Sequence, residues 1–119
     1  MSMMGCDDMT EEKIQEVVRL FVFEAKKIYG SDLRQVILYG SCARGDFEQD
    51  SDIDIMVLLD SPAEKMNEER KKILDASVRL DLAYDVVLTP AFQNYQQFQH
   101  CMPVSMFYRN VKKEGILLA

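Results

Sequence analysis

The sequence predicts a small α/β domain, a short central sheet with helices packed on it, from three observations. Apolar residues recur at helical spacing between Thr10 and Tyr29. Two apolar runs of strand length, Gln35 to Tyr39 and Ile53 to Leu59, follow that segment. Further amphipathic stretches then alternate with a third short apolar run, Tyr84 to Leu88, and such alternation of helices and strands is the pattern of an α/β domain. A chain of 119 residues fits a single core. Residues 1–119 are therefore expected to form one domain, with 1–9 a flexible lead-in.

In order along the chain, Ile14, Val17, Val18, Phe21, Ala25 and Ile28 define one face of the first helix. Thr10 can cap it, and Glu11 and Glu12 suit the positive end of its dipole. Gly30, Ser31 and Asp32 stop it. Val36 to Tyr39 and Ile53 to Leu59 read as strands buried on both faces. Ser61 and Pro62 break the chain before a charged helix from about Glu64 to Leu80, whose Glu68, Lys71, Lys72 and Asp75 form a solvated face. Ala83 to Leu88 is expected as the third strand, centred on Asp85. Thr89-Pro90 has the form of a helix start, with a glutamine-rich helix after it. Phe92, Tyr95 and Phe98 recur there at helical spacing, as core residues would. Pro103 is expected to open a last helix that Gly115 ends. Strand order is not readable from these patterns.

Composition narrows the function. A net charge of −6 opposes direct nucleic-acid binding, which needs a basic surface. It leaves room for a nucleotide, because metal ions can bridge an acidic site and an anionic ligand. No apolar run approaches the ~18 residues that span a bilayer, and MSMMGCDDM lacks the regions of a signal peptide, so a cytoplasmic location is expected. Cys6, Cys42 and Cys101 lack ligand-like spacing, and His100 stands alone. That excludes an ordinary zinc site and a Ser-His-Asp hydrolase.

The chemistry is concentrated in Gly40 to Asp54, GSCARGDFEQDSDID. A Gly-Ser pair closes one strand, ten residues intervene, and Asp52 and Asp54 open the next. Alternate strand residues point to one side, so these carboxylates project together and repel. A divalent cation resolves that conflict, and Mg²⁺ takes one or two carboxylates with water and substrate phosphates. Gly40 permits close approach of a ligand, Ser41 offers its amide and hydroxyl, and Arg44 could neutralise phosphate charge or serve a surface ion pair. Ser51 reads as a cap of the turn, and Cys42 as a packing residue. A two-metal arrangement needs a third carboxylate. Asp85 is the candidate and Asp81 its rival.

These residues resemble a known family. Gly40-Ser41, ten residues, Asp52-x-Asp54 and a later Asp85 are similar to the nucleotidyltransferases of the DNA polymerase beta superfamily, and the short chain resembles its minimal nucleotidyltransferase (MNT) domains. The ending FYRNVKKEGILL is like their closing segment. The resemblance implies the small nucleotidyltransferase fold, with Gly40, Ser41 and Arg44 on the nucleotide phosphates and Asp52, Asp54 and Asp85 as catalytic metal ligands, Asp85 also as a base. It implies Mg²⁺, two ions, as cofactor and ATP as substrate, with AMP passing to a hydroxyl. It further implies a separate helical partner of the HEPN type, as in HEPN/MNT toxin–antitoxin pairs, where the antitoxin modifies a partner tyrosine, and hence a homo- or hetero-oligomer. Two other readings stay open: transfer to a small molecule in a pocket supplied by another subunit, and a non-catalytic module that senses nucleotide or masks a toxin.

Overall fold

A computed structural model describes residues 8–119. Of the expected lead-in, residues 1–7 lie outside that range. Met9 is instead buried, and its amide donates to Gln49 Oε1 at 2.7 Å.

The first helix, α1 (Glu11–Tyr29), starts where the sequence indicates, with the Thr10 side chain accepting from the Lys13 amide at 3.1 Å. A 3₁₀ turn over Gly30–Asp32 ends it. Strand β1 (Leu33–Tyr39) then runs antiparallel to β2 (Ile53–Leu59). Between them lie a single helical turn, α2 (Ser41–Arg44), and a loop. Strand β3 (Leu88–Asn94) pairs parallel with β2, and β4 (Ile116–Leu117) pairs antiparallel with β1. The sheet is mixed, in the order β3-β2-β1-β4. Central β2 is buried along its length except at Asp54, which is half-buried.

Two apolar layers sandwich the sheet. Val36, Leu38, Ile53, Ile55, Val57 and Leu59 pack with the apolar face of α1 and with Ile73 and Ala76. Ile37, Met56 and Leu58 face the other way, against Phe98 and Val111. Strand alternation puts Tyr39 and Asp54 on this second side.

The stretch after β2 departs from expectation in three places. The expected charged helix divides into α3 (Met66–Lys72) and α4 (Leu74–Tyr84), broken at Ile73, whose side chain is fully buried between them. Helix α4 then continues through Tyr84, so Ala83 to Leu88 is not a strand. Asp85 ends the helix in the left-handed conformation (φ 55°, ψ 52°). Pairing begins later, with the Ile53 amide donating to Val87 O at 2.9 Å and Ile53 aligned with Leu88. Thr89-Pro90 consequently lies inside β3 rather than opening a helix. Proline is tolerated because β3 is an edge strand with one side that feeds no ladder.

The helix start is Asn94, whose Oδ1 accepts from the Gln97 amide at 2.8 Å to begin α5 (Tyr95–Cys101). Phe92 and Phe98 are both core, but on opposite layers. The last helix, α6 (Met106–Glu114), is capped by Ser105 rather than opened by Pro103. Gly115 ends it as expected. A Cβ there would collide with Val111 O and Ile37 Cγ2, so only glycine lets the chain turn from α6 into β4. No helix among the described residues is long and apolar enough to cross a membrane.

Candidate active site

Strand β1 delivers Gly40 to the end of the sheet beside the start of β2. Tyr39 is paired with Asp54 across the ladder. Gly40 adopts φ 77°, ψ −156°, a region of backbone space essentially confined to glycine. Its missing side chain also matters, since a Cβ would stand 2.5 Å from Asp54 Oδ2. The Asp54 carboxylate therefore lies directly against the glycine turn. Two features that the sequence pattern only spaces apart are in contact.

The turn itself is tight. Gly40 O accepts from the amides of both Ala43 and Arg44 at 3.1 Å, and Ser41 O accepts from Gly45 at 2.9 Å. The first amides of such a turn, those of Ser41 and Cys42, have no partner within the helix. Cys42 is buried, and its thiol lies 3.5 Å from Asp52 O, which ties the returning loop to α2. Burial, followed by the charge of Asp54, raises the Cys42 pKa and keeps it a thiol. That is the packing role its sequence position indicates. Ser51 caps the loop as expected, its Oγ accepting from the Glu48 amide at 2.8 Å.

Asp52 is exposed and Asp54 half-buried. Burial raises the Asp54 pKa above its ordinary 3.8, Asp52 raises it further, and Arg44 opposes both. The repulsion expected of the pair is thus felt at Asp54. The neighbouring Tyr39 hydroxyl is pushed up by burial and then by Asp54, which keeps it neutral. Two neighbouring oxygen-donor carboxylates, with the charge of Asp54 disfavoured, fit a hard divalent cation.

The third carboxylate does not join them. Asp85 is exposed at the end of α4, two residues before Val87. Among the described residues no three His, Cys, Asp or Glu side chains gather as a metal cluster would. Asp81, the rival, accepts from the Leu88 amide at 2.9 Å and so tethers α4 to β3. Burial raises its pKa above the ordinary range. With Asp85 outside the pair, Asp85→Asn is expected to reduce transfer by roughly tenfold, within the range for an outer carboxylate, and far less than Asp52→Asn. Steady-state rates of the two variants check this. Equal losses would mean that the α4–β3 turn swings Asp85 inward.

Arg44 makes two surface ion pairs, Nε to Asp46 Oδ2 at 3.3 Å and Nη1 to Glu114 Oε1 at 3.5 Å. Exposed pairs of this kind are worth about 0–1 kcal/mol, so a phosphate could displace either. The Glu114 contact brings in α6, which the motif does not include. With Tyr39, Gly40 and Arg44, residues Phe107, Asn110, Val111 and Glu114 line a cavity of about 250 Å³. The four α6 residues follow i, i+3, i+4, i+7 spacing, one helix face. That spacing is readable in the sequence, whereas its apposition to α2 is not.

Comparison with known proteins places the chain in a family. The sequence pattern of the family described as "Nucleotidyltransferase domain" matches residues 18–118. The chain belongs to that family of enzymes. It is similar to two proteins of Methanocaldococcus jannaschii that carry provisional names as protein adenylyltransferases. MJ0604 is 34% identical over 110 residues, 92% of this chain and 99% of that protein. MJ0141 is 35% identical over 79 residues, 66% of this chain and 77% of that protein. Among solved structures, a Sulfolobus solfataricus protein described as a nucleotidyltransferase superposes with TM-score 0.54 at 18% identity, covering 90% of this chain and 80% of that one. A mutant of the MntA-HpeT toxin-antitoxin superposes with TM-score 0.53 at 20% identity, covering 93% and 73%. At these identities the likeness is one of fold, the small mixed α/β fold that the sequence predicts.

Proposed function

We infer that the protein transfers AMP from ATP to a hydroxyl on a partner protein, most simply a tyrosine of a HEPN-type helical toxin, and so acts as its antitoxin. The observation that carries the reading is the contact of Asp54 with the Gly40 turn, which sets carboxylates and phosphate-binding amides side by side. The provisional names of the M. jannaschii relatives support adenylyl transfer to protein. A toxin-antitoxin among the fold neighbours, one of them solved with AMP-PNP, supports the choice of partner and nucleotide.

In this reading Gly40 and the amides of Ser41 and Cys42 receive the terminal phosphates, and the Ser41 hydroxyl adds a further donor. Arg44 leaves Glu114 or Asp46 to neutralise phosphate charge. Asp52 and Asp54 hold Mg²⁺, which when bound supplies Lewis-acid neutralisation of the phosphate oxygens. A second ion drawing on Asp85 requires the α4–β3 turn to bring that carboxylate closer. The acceptor oxygen bonds to the α-phosphorus, the bond to the bridging oxygen of pyrophosphate breaks, and the hydroxyl proton leaves to solvent or to Asp85. Positioning and charge neutralisation dominate such a transfer, so a small scaffold suffices. A cytoplasmic setting belongs to the same reading, since ATP and Mg²⁺ are supplied there.

The test is co-expression with a small helical protein of the HEPN type, followed by intact-mass measurement of that protein. One AMP added per chain at a tyrosine, absent with Asp52→Asn, is the expected result. Label from ATP arriving instead on a small molecule would replace the protein-acceptor reading.

A further inference from the structure

The cavity between α2 and α6 shares Gly40 and Arg44 with the proposed phosphate site, and its remaining lining has been given no role so far. We propose that this cavity, resting on the reading above, receives the base of the nucleotide, and that Asn110 selects adenine over guanine there.

Position comes first. Tyr39 pairs with Asp54 across the ladder, and Gly40 touches the Asp54 carboxylate. A nucleotide with its phosphates at Asp54 and the turn therefore has the mouth of the cavity beside it. Pockets that enclose a whole drug-sized ligand run to ~300–1,000 Å³. At about 250 Å³ this one suits a single purine and leaves sugar and phosphates outside.

Chemistry comes second. Phe107 is 51% exposed although it lies in the final, amphipathic helix. Its ring meets Tyr39 edge-on, with centroids 5.8 Å apart and planes at 82°. Tyr108 meets the same ring at a tilt, with centroids 5.7 Å apart, and the half of Phe107 that stays exposed offers surface for a base to stack on. Asn110 stands one helical turn further along the same face and makes no side-chain hydrogen bond among the described residues. Its carboxamide presents one acceptor beside one donor. With the major-groove edge of the base turned to Asn110, the amino group and N7 of adenine complement that pair, whereas O6 and N7 of guanine are two acceptors. Glu114, a turn beyond and bound to Arg44, closes the pocket with a further acceptor for the amino group and couples base to phosphates.

Equilibrium binding of non-hydrolysable ATP and GTP analogues with Mg²⁺ tests the assignment, alongside the ratio of kcat/KM for the two nucleotides. The wild type is expected to prefer ATP by about tenfold or more, the discrimination of one bidentate contact. Asn110→Ala should reduce that preference to within a few-fold. Asn110→Asp, acceptor-only, loses the donor to the ring nitrogen and should weaken the ATP analogue about tenfold, bringing the two nucleotides to within a few-fold of each other. Phe107→Ala should weaken both analogues about tenfold through lost stacking. Asn110 is exposed, so its variants are expected to melt with the wild type. Binding that stays Mg²⁺-dependent while the ATP-to-GTP ratio is unmoved in both Asn110 variants would place the base elsewhere and leave the transferase reading intact. A wild type that binds neither analogue with Mg²⁺ would overturn both.

Discussion

Replacing Asp54 with asparagine is expected to abolish transfer, on the order of a hundredfold or more, while leaving the metal-free protein at least as stable as the parent. Asp54 is half-buried against Gly40 with Asp52 nearby, and both burial and Asp52 disfavour its charge. A carboxyl whose pKa is raised in the folded state binds a proton more tightly there than in the unfolded chain. Its contribution to stability is greatest in acid and is lost as pH rises from the ordinary 3.8 through the raised value. At neutral pH the parent carries the full disadvantage of the charged pair, which asparagine removes. Urea midpoints in EDTA should therefore match in acid and favour the variant, or remain equal, at neutral pH. A marked loss of stability at neutral pH would show that Asp54 holds the fold together rather than a metal ion.

Gly40→Ala is expected to fail on both counts. The position combines a backbone conformation essentially reserved for glycine with a Cβ that would stand 2.5 Å from Asp54 Oδ2. The backbone strain alone costs about 1–3 kcal/mol. Relief of the clash displaces the Asp54 carboxylate, so transfer should fall about as far as in Asp54→Asn. The two variants separate by denaturation, since Gly40→Ala loses stability and activity together. Wild-type activity in Gly40→Ala would mean that the close approach of turn and carboxylate has no catalytic consequence.

The turn and the paired aspartates were legible in the sequence because local rules fix them. Two short apolar runs bracket Gly40 to Asp54, and Asp54 lies in β2 with Asp52 one residue before its start. The first helix was legible for the same reason, with a sustained period and a cap at Thr10. The region from Leu80 to Asn94 was not. Its YDVVLT run has strand composition, but α4 continues into it, and Asp85 ends that helix in a left-handed conformation that carries no glycine signal. The true strand starts where the ladder with β2 sets it, at Leu88, and the edge position admits Pro90. The contribution of α6 was equally hidden. Arg44 and Glu114 meet only through the tertiary fold, although Phe107, Asn110 and Glu114 already lie at one-face spacing.

The most direct test of the central claim compares ATP labelled at the α-phosphate with ATP labelled at the γ-phosphate, using Mg²⁺ and a HEPN-type protein as the proposed acceptor. Label from the α position alone should reach the acceptor, disappear in EDTA, and disappear with Asp52→Asn. Transfer of the γ label, or α-label transfer undiminished by Asp52→Asn, would contradict nucleotidyl transfer at this site.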